Sequence, residues 1–321
     1  MIISASYKTD IPAFYGRWFL NRLRAGFCKM VNPFNRHQIS VVSLLREDVD
    51  GIVFWTKNVG PFLEALREVH ERGYPFVVQH TINNYPRVLE SRVVDAPQSV
   101  QHLKRIASEY GPKVGVWRYD TILFTSLTDL DFHRRNFERL AEELEGATNE
   151  VVVSFAQIYK KTLHNTNAAA REHGFAWEDP SPEAKRQLLK ELSMMASAKG
   201  MTLTVCSQPS LLAEGIPEAR CVDAQRIGEV AGRFVNAKLK GGRKECRCYY
   251  SIDIGDYDTC PHGCIYCYAV SSRELALTRF RQHDPNGEFL FPMPHIPKSE
   301  SQGVKQDDKQ LGLKFGRDAD D

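Results

Sequence analysis

The stretch TCPHGCIYCYA, residues 259–269, decides how the rest of the chain is organised. It places Cys260, Cys264 and Cys267 in C-x3-C-x2-C spacing, with Tyr266 directly before the last cysteine. A loop this short can bring three thiolates to one point, and Gly263 relaxes the backbone between two of them. No further cysteine follows in the chain. The spacing therefore predicts a metal site with three protein ligands and one open position.

Two kinds of metal site are compatible with this spacing. Three thiolates can hold three irons of a [4Fe-4S] cluster and leave the fourth iron open for a substrate or cofactor. The alternative is a closed zinc site completed by His262, because three cysteines and one histidine form a permitted zinc shell. His262 lies between two of the cysteines, so its side chain would have to turn inward with theirs. The spacing and the aromatic Tyr266 favour the iron-sulfur cluster.

From Cys260 to Cys267 the motif resembles that of the radical S-adenosylmethionine enzymes. The resemblance implies S-adenosylmethionine at the open iron, Tyr266 beside the cofactor, and a 5'-deoxyadenosyl radical that takes a hydrogen atom from substrate. It also implies a reductase or a flavodoxin- or ferredoxin-type protein as electron donor. The glycine-rich motif that commonly follows the second strand of these enzymes is not evident. The YCYA end resembles that of spore photoproduct lyases, which makes nucleic acid one candidate substrate.

Other blocks of the chain are similar to an uncharacterised bacterial group, the domain of unknown function 1848 family. The segment SIDIGDYDTCPHGCIYCYA, preceded by CRC, is similar to the C-terminal end of that family. SASYKTDIPAFY, VFWTKN and WRYD resemble its other blocks, so the resemblance covers nearly the whole chain. The family brings no assigned reaction.

A second set of four cysteines precedes the motif: Cys206, Cys221, Cys246 and Cys248. Four thiols suffice to close a zinc site or to hold a second [4Fe-4S] cluster. Thus the ligand count predicts a second metal site. The alternative for Cys206 is an ordinary buried thiol of the core, because free cysteine is among the most buried residues.

Six β-prone runs alternate with helical patterns along the first two thirds of the chain. The runs are IISASY, GIVFWT, PFVVQHTI, VGVWRY, VVVSFAQIY and MTLTVC. Such alternation indicates parallel βαβ units. It predicts an α/β fold, a full or partial (β/α) barrel of the TIM-barrel type with about six strands, and an open doubly wound sheet is the alternative.

The pattern also predicts how the chain is divided. Residues 1–240 are predicted to form the barrel-like domain, with a hairpin insertion near residues 27–44. Residues 241–292 are predicted to be a cysteine-rich iron-sulfur module packed on the barrel, and residues 293–321 an extended or disordered tail. Radical enzymes carry the cluster unit at the start of their barrel. Its place near the end of this chain leaves two explanations open, a circular permutation or an appended module.

Polar residues follow the predicted strands, where a barrel gathers its functional side chains. The candidates are Lys8, Asp10, Lys57, Asn58, Arg118, Asp120 and Gln157. For each one, helix capping or a loop ion pair is the simpler explanation, since β-to-α loops need polar caps. Arg118 and Asp120 should share one face of their strand and pair with each other. His133 carries no recognisable spacing and is predicted to lie on the surface.

The composition limits the choice of function. Lys and Arg total 42 against 40 for Asp and Glu, so no general basic field attracts nucleic acid or an anionic membrane. The N-terminus lacks a signal-peptide pattern, and no segment is apolar enough to span a membrane, so a cytoplasmic protein without membrane contact is predicted. The competing functional hypothesis is a non-catalytic iron-sulfur or zinc protein that binds nucleic acid or a protein partner.

Overall fold

A computed structural model of the chain describes residues 1–32, 35–240 and 245–291. The strands are β1 (Ile2–Ala5), β2 (Phe27–Asn32), β3 (Asn35–Ser43), β4 (Gly51–Thr56), β5 (Phe76–Thr81), β6 (Gly115–Ile122), β7 (Phe124–Thr125), β8 (Glu150–Phe155), β9 (Trp177–Glu178), β10 (Thr202–Val205) and β11 (Ile252–Asp253). The α-helices are α1 (Ile11–Phe14), α2 (Gly16–Ala25), α3 (Leu63–Glu71), α4 (Ala96–Tyr110), α5 (Leu130–Glu143), α6 (Lys160–His173), α7 (Pro182–Ala198), α8 (Ala224–Ala231) and α9 (Arg273–Arg281). The predicted tail, residues 293–321, lies outside the described residues.

Seven of the strands form one parallel sheet in the order β10-β8-β6-β5-β4-β1-β11. The α/β class and the parallel sheet are as predicted, with seven strands rather than about six. Among the described residues, β10 and β11 stand at the two ends of the sheet, with only an isolated bridge from Val205 to Glu218 beyond β10. The sheet is therefore open, and the full-barrel form of the prediction is wrong. The order from β1 to β10 follows the sequence, and β11 returns to the other side of β1. An open sheet is also what the doubly wound alternative predicts.

One face of the sheet packs against helices. Ile3, Ile52, Phe54 and Val78 contact apolar side chains of α1 to α3, such as Phe19. Farther along the sheet, side chains of β6, β8 and β10 pack against α4, α5 and α7 in the same way. This continuous apolar layer is the main core, and its burial is the largest contribution to folding.

The other face of the sheet carries a different set of side chains, because neighbours along a strand point to opposite faces. Near the amino ends of the strands this face is apolar, and residues 219–240 and 245–249 cover it. Near the carboxyl ends it carries polar residues, among them Ser4, Gln79, Arg118 and Ser154. The polar half of this face leads directly to the strand ends where the cysteine motif lies.

Several local elements follow the expected sequence signals. β2 and β3 pair as an antiparallel hairpin, and Gly26 ends α2 with a φ of 79°, which favours glycine. The pattern does not predict α6, because its Asn, Thr and His residues obscure the apolar period. The surface position predicted for His133 is wrong. Its ring is fully buried and bonded to the Tyr119 hydroxyl at 2.9 Å, and burial lowers the His133 pKa to about 4.

Across the described ranges, no helix combines the length and apolar character needed to cross a bilayer.

Candidate functional site

The cysteine loop is docked by its backbone onto the segment that follows β5. The amide of Ile265 donates to the carbonyl of Leu89 at 3.1 Å, and that of Arg92 donates to the carbonyl of His262 at 3.0 Å. Between them, Glu90 and Cys264 form an isolated antiparallel bridge. These bonds hold the loop as a short strand-like pairing, so its position does not depend on side chains alone.

Side chains fix the same loop to the carboxyl end of β1. The His262 Nε2 atom lies 2.7 Å from Asp10 Oδ2. Asp10 also accepts the Lys57 amide at 2.7 Å and caps α1 by accepting the Ala13 amide at 2.9 Å. Both Asp10 and His262 are buried. The cysteine loop therefore lies over the carboxyl ends of β1, β4 and β5, the edge where parallel α/β sheets usually place their sites.

Beneath the loop lies a buried polar network formed by Lys57, Asn83, Glu90, Arg118, Asp120 and Tyr266. Lys57 Nζ donates to Glu90 Oε1 at 2.8 Å and to the Tyr266 hydroxyl at 3.1 Å. Asn83 Nδ2 contacts the same two acceptors at 3.2 and 3.1 Å, and the Tyr266 hydroxyl donates to Glu90. Tyr266, the aromatic residue of the motif, thus points into the network.

The ion pair between Lys57 and Glu90 is charged on both sides. Burial alone would raise the pKa of Glu90, but the Lys57 ammonium holds it below its usual value. Burial opposes the charge of Lys57 in turn, but Glu90 and the nearby Cys264 thiol keep its pKa above the usual value. The same electrostatic coupling joins Lys57 to Cys264, where the ammonium opposes the rise in the thiol pKa that burial causes.

A second ion pair, Arg118 with Asp120, extends the network across the sheet. The Arg118 guanidinium donates to Asp120, to Gln79 Oε1 at 3.1 Å and to Cys221 Sγ at 3.0 Å. The predicted pairing of Arg118 with Asp120 is confirmed. Asn83 joins the two pairs, because it bonds both Glu90 and the backbone of Asp120.

The thiols of Cys260, Cys264 and Cys267 are half-buried, and burial raises the pKa of each. The three interact electrostatically with one another. In the described part of the chain, no group of three or more His, Cys, Asp or Glu side chains is already arranged to hold a metal ion. The loop therefore brings the thiols into one neighbourhood without bringing the three sulfurs into ligating positions.

The second set of cysteines converges on the covered face of the sheet. The sulfurs of Cys206 and Cys221 lie 3.5 Å apart. Cys248 interacts electrostatically with Cys221 and Cys246, and all three belong to one cluster with Cys206. Residues distant in sequence thus meet where residues 219–240 and 245–249 pack on the sheet.

A scan against family models assigns residues 2–269 to a domain of unknown function, DUF1848. The chain belongs to the DUF1848 family. No curated protein matches it, and no solved structure does either. Membership of the DUF1848 family therefore assigns no reaction to this chain.

Not every strand-end candidate of this DUF1848 member joins the network. Lys8 lies 3.6 Å from Asp253, and Asn58 caps the turn at Gly60 by accepting its amide at 3.1 Å. Gln157 accepts a hydrogen bond from Tyr159. For Asn58 the capping explanation suffices, whereas Asp10, Lys57, Arg118 and Asp120 gather around the two cysteine sets.

Two buried acids of this DUF1848 member were not among the predicted site residues. Glu90 lies at the centre of the network, and Asp253 accepts hydrogen bonds from Ser4 and Ser6, each at 2.7 Å. Glu90 does not directly follow a predicted strand, so a search for polar residues at strand ends does not identify it. Asp253 stands in the segment SIDIGDYD just before the motif, and its place between two isoleucines was the available signal.

Proposed function

We propose that this chain is a radical S-adenosylmethionine enzyme in which Cys260, Cys264 and Cys267 hold a [4Fe-4S] cluster. The observation that carries the proposal is the docking of the cysteine loop over the carboxyl ends of β1, β4 and β5, above a buried polar network. When bound, the cluster would supply the electron that cleaves S-adenosylmethionine and yields a 5'-deoxyadenosyl radical.

The residues present fit such a cluster. Three thiols share one loop, and a cluster held by three thiolates keeps one iron open. The Lys57 ammonium near Cys264 would offset part of the negative charge that thiolates and sulfides bring to a buried site. His262 Nε2 is bonded to Asp10, so a ligand role for this nitrogen is not needed in the cluster proposal.

The network has a defined part in this proposal. Glu90 holds both the Lys57 ammonium and the Tyr266 hydroxyl, so that neither can rotate freely. Asn83 fixes Glu90 from the other side at 3.2 Å. These residues would orient polar groups of a bound cofactor and exclude water from the space below the loop, which a reactive radical requires.

The strand order supports a circular permutation rather than an appended module. β11 leads directly into the cysteine loop and pairs in parallel with β1. Starting from β11, the strands follow one another across the sheet as β11, β1, β4, β5, β6, β8 and β10. This is the order expected of a partial barrel that begins with its cluster strand, and a module appended elsewhere would not need that pairing.

Partners follow from the chemistry of the cluster. A [4Fe-4S] cluster has to be reduced before it can act, so we propose a flavodoxin- or ferredoxin-type protein or a reductase as electron donor. The formal net charge of +2 provides no general attraction for phosphates. A nucleic acid substrate therefore rests on the YCYA resemblance alone.

One observation favours a second candidate, a non-catalytic zinc protein. The Nδ1 atom of His262 is buried and has no hydrogen-bond partner among the described residues. Its Nε2 atom is held by Asp10, as the far nitrogen of a zinc-bound histidine often is by a carboxylate. His262 could then close a zinc shell with the three cysteines and leave no open position.

Metal analysis of protein purified without oxygen separates the two candidates. The enzyme proposal predicts about four irons and an equal amount of sulfide bound through the motif. Cys264→Ala should lose them, whereas His262→Gln should keep them, and Cys28→Ala serves as a control at a cysteine outside both sets. Zinc bound through the motif in place of iron, and lost in His262→Gln, would support the zinc candidate instead.

A further inference from the structure

The second cysteine set supports an inference that is independent of the proposed enzyme. Cys206 Sγ and Cys221 Sγ are 3.5 Å apart. Cys246 and Cys248 belong to the same cluster on the covered face of the sheet and interact electrostatically with Cys221. All four thiols therefore lie in one neighbourhood, although the described thiols are not yet arranged as a metal shell.

Sulfur spacing distinguishes a single metal ion from a [4Fe-4S] cluster. Around a single tetrahedral ion with metal-sulfur bonds of about 2.3 Å, two thiolates lie about 3.8 Å apart. Around a [4Fe-4S] cluster each thiolate binds a different iron, so sulfides and irons separate the thiolates much more widely. The contact of 3.5 Å between Cys206 and Cys221 is close to the value for a single ion.

We propose that Cys206, Cys221, Cys246 and Cys248 form a closed, four-thiolate zinc site that fastens residues 206–240 and 245–249 to the sheet. Zinc is the metal for which four thiolates and a closed tetrahedral shell are the common structural arrangement. Because the shell has no open position, the site binds neither substrate nor cofactor.

The surroundings supply the donors that such a site needs. Arg118 Nη1 donates to Cys221 Sγ at 3.0 Å, and the Val222 amide donates to Cys248 Sγ at 3.3 Å. Hydrogen bonds of this kind orient thiolate ligands and offset the net negative charge of a zinc ion with four thiolates. Gln79 fixes the backbone of Cys221 by donating to its carbonyl at 2.9 Å. The sheet thus holds one ligand in position from β5 and β6.

The fold suggests a stabilising role for this zinc site. Between residues 206 and 249, the described residues include only a short 3-10 turn, Pro209–Leu211, and the helix α8 as helical elements. This segment nevertheless covers the apolar half of one face of the sheet. A metal that joins four positions of a weakly structured segment stabilises its folded form, because the unfolded chain has no such site.

Zinc and iron measured in the same samples test the proposal. Wild-type protein is expected to carry about one zinc per chain in addition to any iron. Cys221→Ser and Cys246→Ser should lose the zinc and keep the iron, whereas Cys264→Ala should lose the iron and keep the zinc. Cys28→Ala should keep both. Since the two metals are counted separately, failure of either proposal is visible without the other.

Specific outcomes would overturn the zinc site. They are wild-type protein without zinc, iron in excess of one cluster that disappears in Cys246→Ser, or a disulfide between Cys206 and Cys221. If the serine variants do not fold, two measurements on wild-type protein still test the zinc site. A mercurial that blocks thiols should then release zinc to a coloured indicator, and cobalt bound in its place should give the absorption of a tetrahedral four-thiolate complex. Absence of both signals would contradict the proposal.

Discussion

At the scale of single residues, Lys57 and Glu90 are the pair around which the network is built. Both side chains are largely buried, with Nζ and Oε1 2.8 Å apart. The Tyr266 hydroxyl bonds both side chains, because it accepts from Lys57 Nζ and donates to Glu90. A buried pair of this kind contributes little net stability compared with an apolar pair, but the loss of one partner leaves an uncompensated charge.

This asymmetry can be measured by a double-mutant cycle. Lys57→Met or Glu90→Gln alone should lower the free energy of unfolding by about 3–5 kcal/mol. The double variant should lose clearly less than the sum, because no charge is left unpaired. Urea unfolding followed by circular dichroism gives the three values. Arg105→Ala, at an exposed pair with Glu109, is the matched control and should cost about 1 kcal/mol or less. Strict additivity at Lys57 and Glu90 would show that the pair is not coupled.

At the scale of elements, the decisive feature is the docking of the cysteine loop on residues 89–92. Gly263 lies in this loop with a φ of 72°, in the left-handed region that favours glycine. A Cβ atom there would overlap the Ser91 hydroxyl and come within 3.3 Å of Arg273 Nε. The loop therefore approaches the segment after β5 as closely as a glycine permits.

Gly263→Ala tests whether this approach is needed for metal binding. Gly146 has a similar φ of 75° but nothing within 4 Å of an added Cβ, so Gly146→Ala carries the backbone strain without the contact. Both variants should lose about 1–2 kcal/mol of stability. Only Gly263→Ala should also lose iron, and a second change, Ser91→Gly, should restore part of it. Equal iron content in both alanine variants would mean that the docking does not position the cysteines.

At the scale of the whole molecule, the sequence predicts the parallel α/β class because strand and helix patterns alternate strongly. It does not predict the edge position of β11, since Ile252–Asp253 is too short to show a period. The convergence of the second cysteine set was suggested by ligand count, but only the packing of residues 219–240 and 245–249 on the sheet brings these cysteines into one cluster. Glu90 was missed because its role comes from a tertiary contact with the loop, which no local pattern encodes.

The two cysteine sets occupy different parts of the whole molecule. One lies over the carboxyl ends of the strands and the other on the covered face, and the network connects them through Asn83, Asp120 and Arg118. Their surroundings differ accordingly. The loop set stands at the carboxyl edge of the sheet, whereas the second set lies against its covered face. We therefore propose the reaction for the first set and a structural task for the second.

The central claim, that the loop set supports radical chemistry, is tested most directly by cleavage of S-adenosylmethionine. Protein loaded with iron and sulfide under anaerobic conditions is mixed with S-adenosylmethionine and a strong reductant, and 5'-deoxyadenosine is measured by chromatography. The wild-type protein should form 5'-deoxyadenosine, and Cys264→Ala should form none. A wild-type protein that carries its cluster but forms no more product than Cys264→Ala would contradict the claim.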